Sequence, residues 1–242
     1  MIYDIKVVQD ALNRRGYFGA NGKPLVIDGL RGMNTNHALV NFKQSVGLSN
    51  SLSIGPLTWA LLVGDSRPLG SILPNASEDM PWYVFGLQMM GKHEIRDNRE
   101  LSLWLRSDGR TIGDPSDIAW CGDYAETSLR RTIPDIVVPS NPYLAANWSS
   151  WGQHVAPQRG CILSFWRGSP DSWKGHVGFY AGESEDNFYV LGGNQNNMVS
   201  IAPLSKKRLR KNGSRWPDAR YGFVPSGRRV QMTGGTVSTN ES

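Results

Sequence analysis

Three stretches of this 242-residue chain carry side chains that together can run acyl transfer through a thiol: WCGDYAETSLRR with Cys121, GHVGFYAGE with His176, and LGGNQNN with Asn194 and Gln195. A lone cysteine is most often a small buried hydrophobe, so a chemical role for Cys121 needs a base and an orienting group elsewhere in the chain. Its setting favours chemistry. Cys121 heads a predicted helix in which Tyr124, Ala125, Ser128 and Leu129 recur at helical spacing, with Asp123 and Glu126 in its first turns. A helix N-terminus carries roughly half a positive charge, which lowers a thiol's pKa and favours the nucleophilic thiolate.

The base is sought among four histidines. His37 lies in an N-terminal helical module, His93 where a helix runs into a loop, and His154 in a polar stretch before Pro157. His176 follows the turn SPDSWKG and opens the predicted strand HVGFYAGE, so its ring projects from the end of a sheet, where a helix N-terminus can meet it. An imidazole there can take the thiol proton and later protonate a leaving amine. It needs a partner on its other nitrogen to fix tautomer and ring angle. The next predicted strand, NFYVL, runs into GGNQNN and puts Asn194 at its end. Gln195 is the competing orienter, because the side-chain period of two decides which residue faces the site.

The elements that must position these groups read as an α+β chain, helices first and an antiparallel sheet after. Residues 5–15 form an amphipathic helix with Ile5, Val8 and Leu12 on one face, stopped at Gly16. A second helix, capped by Asn34 or Thr35, carries Ala38, Leu39, Phe42 and Val46 and ends at Gly47. The segments IDGLRGMNTNHAL and SLSIGPLTWALL share the order apolar, Gly, Thr, apolar helix, which points to a small pseudo-symmetric three-helix module over 1–65. Residues 66–80 read as a linker. A second domain over 81–226 begins with helices in PWYVFGLQMMGKHEI and NRELSLWLRSDG, continues through the Cys121 helix and a short helix in YLAANWSSWG, and then turns to strands. These are CILSFWR, HVGFYAGE and NFYVLGG, with two more expected at Val199–Ala202 and Arg220–Val224. A polar, frayed tail is expected over 227–242.

Composition narrows the function classes. The net charge of +5 suits an anionic partner, and the late basic runs KKRLRK (206–211) and GRR (227–229) read as solvated surface. No helix-turn-helix or RNA-binding signature accompanies them, which argues against nucleic acid. There is no CxxC and no HExxH, so neither a metal nor another cofactor is expected. Two cysteines make no disulfide framework. No apolar run approaches a membrane span, so stable membrane insertion is not expected. The start, MIYDIKVVQD, lacks the basic and apolar regions of a secretory signal.

Two resemblances sharpen this reading. Residues 5–63 resemble the peptidoglycan-binding domain of the PGBD-like type in Val8-Gln9, Leu12, Gly16-Tyr17, Asp28-Gly29, Gly32, Thr35, Ala38-Leu39, Phe42, Gly47-Leu48, Gly55 and Thr58, with Lys43 where a Gln is usual. Residues 81–222 resemble the NlpC/P60–CHAP superfamily of papain-like cysteine hydrolases. The match runs through Trp120-Cys121, Ile162 with Phe165-Trp166-Arg167-Gly168, Gly175 to Tyr180, Leu191 to Gln195 and Arg215-Trp216-Pro217. That resemblance implies a papain-like domain with Cys121 as nucleophile, His176 as base and Asn194 as orienter, Glu94 as a supporting acid, and Trp120 as packing or cleft wall. It also places Cys161 where the superfamily has an Asp. Together the two imply a monomeric endolysin-like peptidoglycan hydrolase, an amidase or endopeptidase, made in the host cytoplasm and acting on the wall after release. The rival readings are a wall-binding or virion structural protein with a dead site, a nucleic-acid binder, and a general peptidase.

Overall fold

The computed structural model describes residues 3–45, 52, 54, 56–64 and 80–231. Most of the expected linker, the C-terminal end of the second helix at Val46-Gly47 and the tail from residue 232 lie outside them.

In the N-terminal part, α1 (Ile5–Arg14) is capped by Asp4, whose carboxylate accepts from the Lys6 N–H. Helix α2 spans Met33–Ser45, and α3 (Pro56–Trp59) continues as a π turn over Ala60–Gly64. Val8, Ala11, Leu12, Leu25, Ala38, Leu39, Phe42 and Leu62 form one apolar core. Gln9 organises the connection between α1 and α2. Its amide donates to Asp28 Oδ1, Leu30 O and Thr35 Oγ1, and its carbonyl accepts from the Gly29 N–H. The expected capping role of Asn34 or Thr35 is therefore corrected. The helix begins before both, and Thr35 is buried against Gln9 and the Leu30 carbonyl.

The second core runs from Met80 to Trp216. Helices α4 (Pro81–Leu87), α5 (Asn98–Leu105) and α6 (Cys121–Arg130) precede a six-stranded sheet. Its strands are β1 (Gln153–His154), β2 (Ile162–Trp166), β3 (Gly175–Glu183), β4 (Asn187–Gly192), β5 (Ser200–Ser205) and β6 (Leu209–Trp216). The order is β1-β6-β2-β3-β4-β5, and every pairing is antiparallel. Helix α6 is buried from Cys121 through Leu129, polar residues included. It packs between β3 and β4 on one side and α4 and α5 on the other. The α4 crossing is close because Gly86 faces Tyr124, where an added Cβ would stand 2.5 Å from the phenol oxygen.

Four expectations are corrected. Residues 220–224 are not a strand: Ala219–Tyr221 is a 3-10 turn capped by Asp218. YLAANWSSWG is 3-10 rather than α-helical, over Ala145–Ser150. The basic run 206–211 is only partly free surface. Its second half opens β6, Arg208 Nε donates to Trp166 O, and Arg210 holds the carbonyls of Pro170, Ser172 and Lys174. Finally, the tail does not fray at Gly227. The Val230 carbonyl accepts from the Glu183 N–H, and Arg229 pairs with the Glu183 carboxylate, which Lys206 also reaches at 2.8 Å.

Candidate active site

The site forms where the first turn of α6 meets the start of β3. Trp120 occupies the N-cap position without a side-chain cap, so the first N–H groups of α6 have no intrahelical acceptor. Cys121 is 7% exposed and His176 3%. Burial pushes the Cys121 thiol up. The hydrogen bond and charge of His176, with the N–H groups of Val177 and Gly122, more than offset it, and the thiol lies below its ordinary value. A thiol, an imidazole and two backbone donors thus meet at one point largely closed to solvent.

The far side of the imidazole is set by the turn after β4. A Cβ on Gly192 would stand 2.9 Å from His176 Nε2 and 3.4 Å from Gln195 Oε1, so only glycine leaves both side chains room. Gln195 is 2% exposed. Its amide nitrogen donates to Val190 O, Gly192 O, Ser200 O and Ser200 Oγ, which fixes the orientation of the whole side chain. Its Oε1 is buried and accepts no hydrogen bond from any described residue. Asn194 is buried in the same turn, with a left-handed backbone at φ 56°. Asn196 and Asn197 are left-handed too, so the extended alternation of β4 has ended before Gln195.

A second layer holds the two halves together. The indole N–H of Trp120 donates to Glu94 Oε2 at 3.0 Å. The Glu94 N–H donates to Asn197 O, and Gly91 and Lys92 exchange bonds with Val199. Gly193 lies against the Trp120 ring, where a Cβ would come within 2.3 Å of Cζ3. Gly122 admits the Pro142 carbonyl and Tyr143 against α6, and Trp148 donates to that carbonyl at 2.7 Å.

Cys161 is remote in character from Cys121. It is fully buried and accepts from the Gln158 N–H at 3.4 Å, and burial pushes its thiol up to about 11. Both cysteines are free. Sequence reasoning passed over a cluster beneath the first turns of α6, where Asp108, Asp123 and Glu126 each bury an oxygen that has no hydrogen-bond partner. The pairing of Asp123 and Glu126 at helical spacing was the available signal. Among the described residues no group of His, Cys, Asp and Glu is arranged to hold a metal ion, and no helix is long and apolar enough to cross a membrane.

No family model, no curated protein and no solved structure matches the chain.

Proposed function

We propose that this chain is a papain-like cysteine hydrolase that cleaves an amide bond in the peptide part of bacterial peptidoglycan, with residues 1–65 as its wall-binding module. The observation that carries the chemistry is the hydrogen-bonded Cys121–His176 pair at the N-terminus of a buried helix, with the thiol held below its ordinary value. The choice of substrate rests on the two sequence resemblances.

Nε2 of His176 lies on the Gly192 side with Gln195 Oε1, which leaves Nδ1 for the thiol. His176 Nε2 and Gln195 Oε1 are both buried on the same side of Gly192 without bonding each other, so a small approach of the two would let Gln195 accept the Nε2–H and hold the ring, while Asn194 shapes the turn. Cys121 Sγ adds to the amide carbonyl carbon. The oxyanion that forms is met by N–H groups at the open first turn of α6. The C–N bond breaks as His176 gives its proton to the departing amine, leaving a thioester on Cys121. Water then adds to the thioester with His176 as base, and the carboxylate product leaves as the thiolate re-forms. Glu94 and Trp120 act by positioning, since they touch each other rather than the reacting atoms.

Turbidity of purified sacculi tests the reading. Wild-type protein is expected to clear them, and Cys121→Ala or His176→Ala to bind without clearing. Binding without clearing by the wild type would instead identify a wall-binding protein with a dead site, and digestion of casein at a comparable rate would identify a general peptidase.

A further inference from the structure

An open surface cavity of about 610 Å³ lies beside the first turn of α6, lined by Arg106, Gly109, Arg110, Thr111 and Tyr143. Two contacts fix its place. Tyr143 lies against Gly122, the residue after the nucleophile, where a Cβ would come within 2.8 Å of the Tyr143 Cα. Thr111 Oγ1 donates to Asp123 Oδ2 at 3.2 Å, one residue further along the helix. The cavity therefore adjoins the helix turn that carries Cys121.

The lining chemistry is that of an anion site. The guanidinium groups of Arg106 and Arg110 make no hydrogen bond among the described residues, and Arg110 Nη1 stands 4.0 Å from Glu126 Oε1. The acids beneath offset them only in part. Glu126 is paired from its other side by Arg130 Nε at 2.7 Å, and burial pushes the Asp123 carboxyl up to about 7. Burial first, and then the charges of Glu126, Asp123 and Asp108, hold the proton on Tyr143, so its hydroxyl remains a donor. Two arginines and a tyrosine among the residues lining one cavity supply the donors that a carboxylate accepts from.

We infer that the Arg106–Arg110–Tyr143 cavity is a substrate subsite that binds a carboxylate of the peptide flanking the scissile bond. The inference rests on the proposed peptidoglycan reading for the identity of that peptide, and it makes Arg106 and Arg110 specificity-determining residues that take no part in the bond-breaking step. A wall whose stem peptides carry free carboxylates is then cleaved in preference to one whose carboxylates are amidated.

Calorimetric titration of Cys121→Ala protein with a synthetic stem tetrapeptide bearing free carboxylates, and with its fully amidated counterpart, tests the subsite apart from catalysis. The free peptide is expected to bind about tenfold or more tightly than the amidated one, as befits a charge-assisted bidentate contact. Adding Arg106→Gln and Arg110→Gln to that protein is expected to remove the preference while leaving the weak affinity for the amidated peptide, and Arg110→Lys to restore part of it. Equal binding of the two peptides, or a preference that survives both glutamine changes, overturns the subsite. The same peptides given to protein with Cys121 intact separate the two claims: arginine-dependent binding without cleavage sinks the hydrolase reading and leaves the subsite standing.

Discussion

Trp120 and Glu94 are joined by a buried hydrogen bond of 3.0 Å from the indole N–H to a carboxylate oxygen. Through it the residue before Cys121 is tied to the segment that also pairs with residues 197–199, just beyond the turn carrying Gln195. The helix that presents the thiol and the turn that faces the imidazole are thus held by one connection. Trp120→Phe would leave the Glu94 carboxylate without its indole partner, and a loss of about 1–3 kcal/mol in denaturant unfolding is expected. Glu94→Gln keeps an acceptor for the indole and is expected to cost less. Equal costs for the two would remove the bond from the account.

Thiol reactivity should separate the two cysteines. Iodoacetamide is expected to label Cys121 at neutral pH and to spare Cys161, which is fully buried with its thiol pushed up to about 11. The His176 interaction lowers the Cys121 thiol, so His176→Ala is expected to move the labelling profile to higher pH. Mass spectrometry of the labelled peptides against pH reads both effects. An unmoved profile would mean that His176 does not set the thiolate.

Gln195 and Asn194 should differ in kind. Gln195→Ala removes the carbonyl oxygen that faces the Gly192 side of His176, and kcat is expected to fall about ten- to a hundredfold, as for loss of a group that orients a catalytic imidazole. Asn194→Gly suits the left-handed backbone at φ 56° and is expected to leave kcat within a few-fold, on the order of what a compatible turn substitution does. Reversal of the two results would return the orienting role to Asn194.

The Asp123 carboxyl gives a signed pH dependence. Burial raises it, the Ile112 N–H and Thr111 hydroxyl pull it down, and the Glu126 and Asp108 charges raise it again, to about 7 from an ordinary 3.8. Between those values the folded chain holds a proton that the unfolded chain has lost. Its contribution is therefore full below the ordinary value and drains away as pH rises through about 7. Asp123→Asn removes that drain and keeps an acceptor for Thr111 and Ile112. A rise of a few degrees, roughly 2–6 °C, in melting temperature at pH 8 is expected, shrinking towards pH 4. Melting curves at both pH values check it, and a pH-independent difference would contradict the assignment.

The parts of this molecule legible in the sequence are those whose side-chain type and local period agree. The helix behind Cys121 and the strands beginning near His176 and Asn187 are of that kind. Strand β6 was hidden because LRKNGSRW looks like solvated charge, while in the fold Arg210 binds backbone carbonyls and Arg215 is buried against Trp151 and Gly152. The choice between Asn194 and Gln195 could not be read by alternation, because left-handed residues in the turn break the two-residue period. The docked residues 227–231 escaped notice for a related reason: Arg229 is fixed by a distant carboxylate, Glu183, and no local pattern announces it.

The central claim is that Cys121 cuts amide bonds in the wall, and mass spectrometry of fragments released from purified sacculi tests it most directly. Wild-type protein is expected to release soluble peptide-bearing fragments with a new amine and a new carboxylate at one bond type, and Cys121→Ala none above buffer. Equal release by Cys121→Ala, or fragments cut only within the glycan, would contradict it.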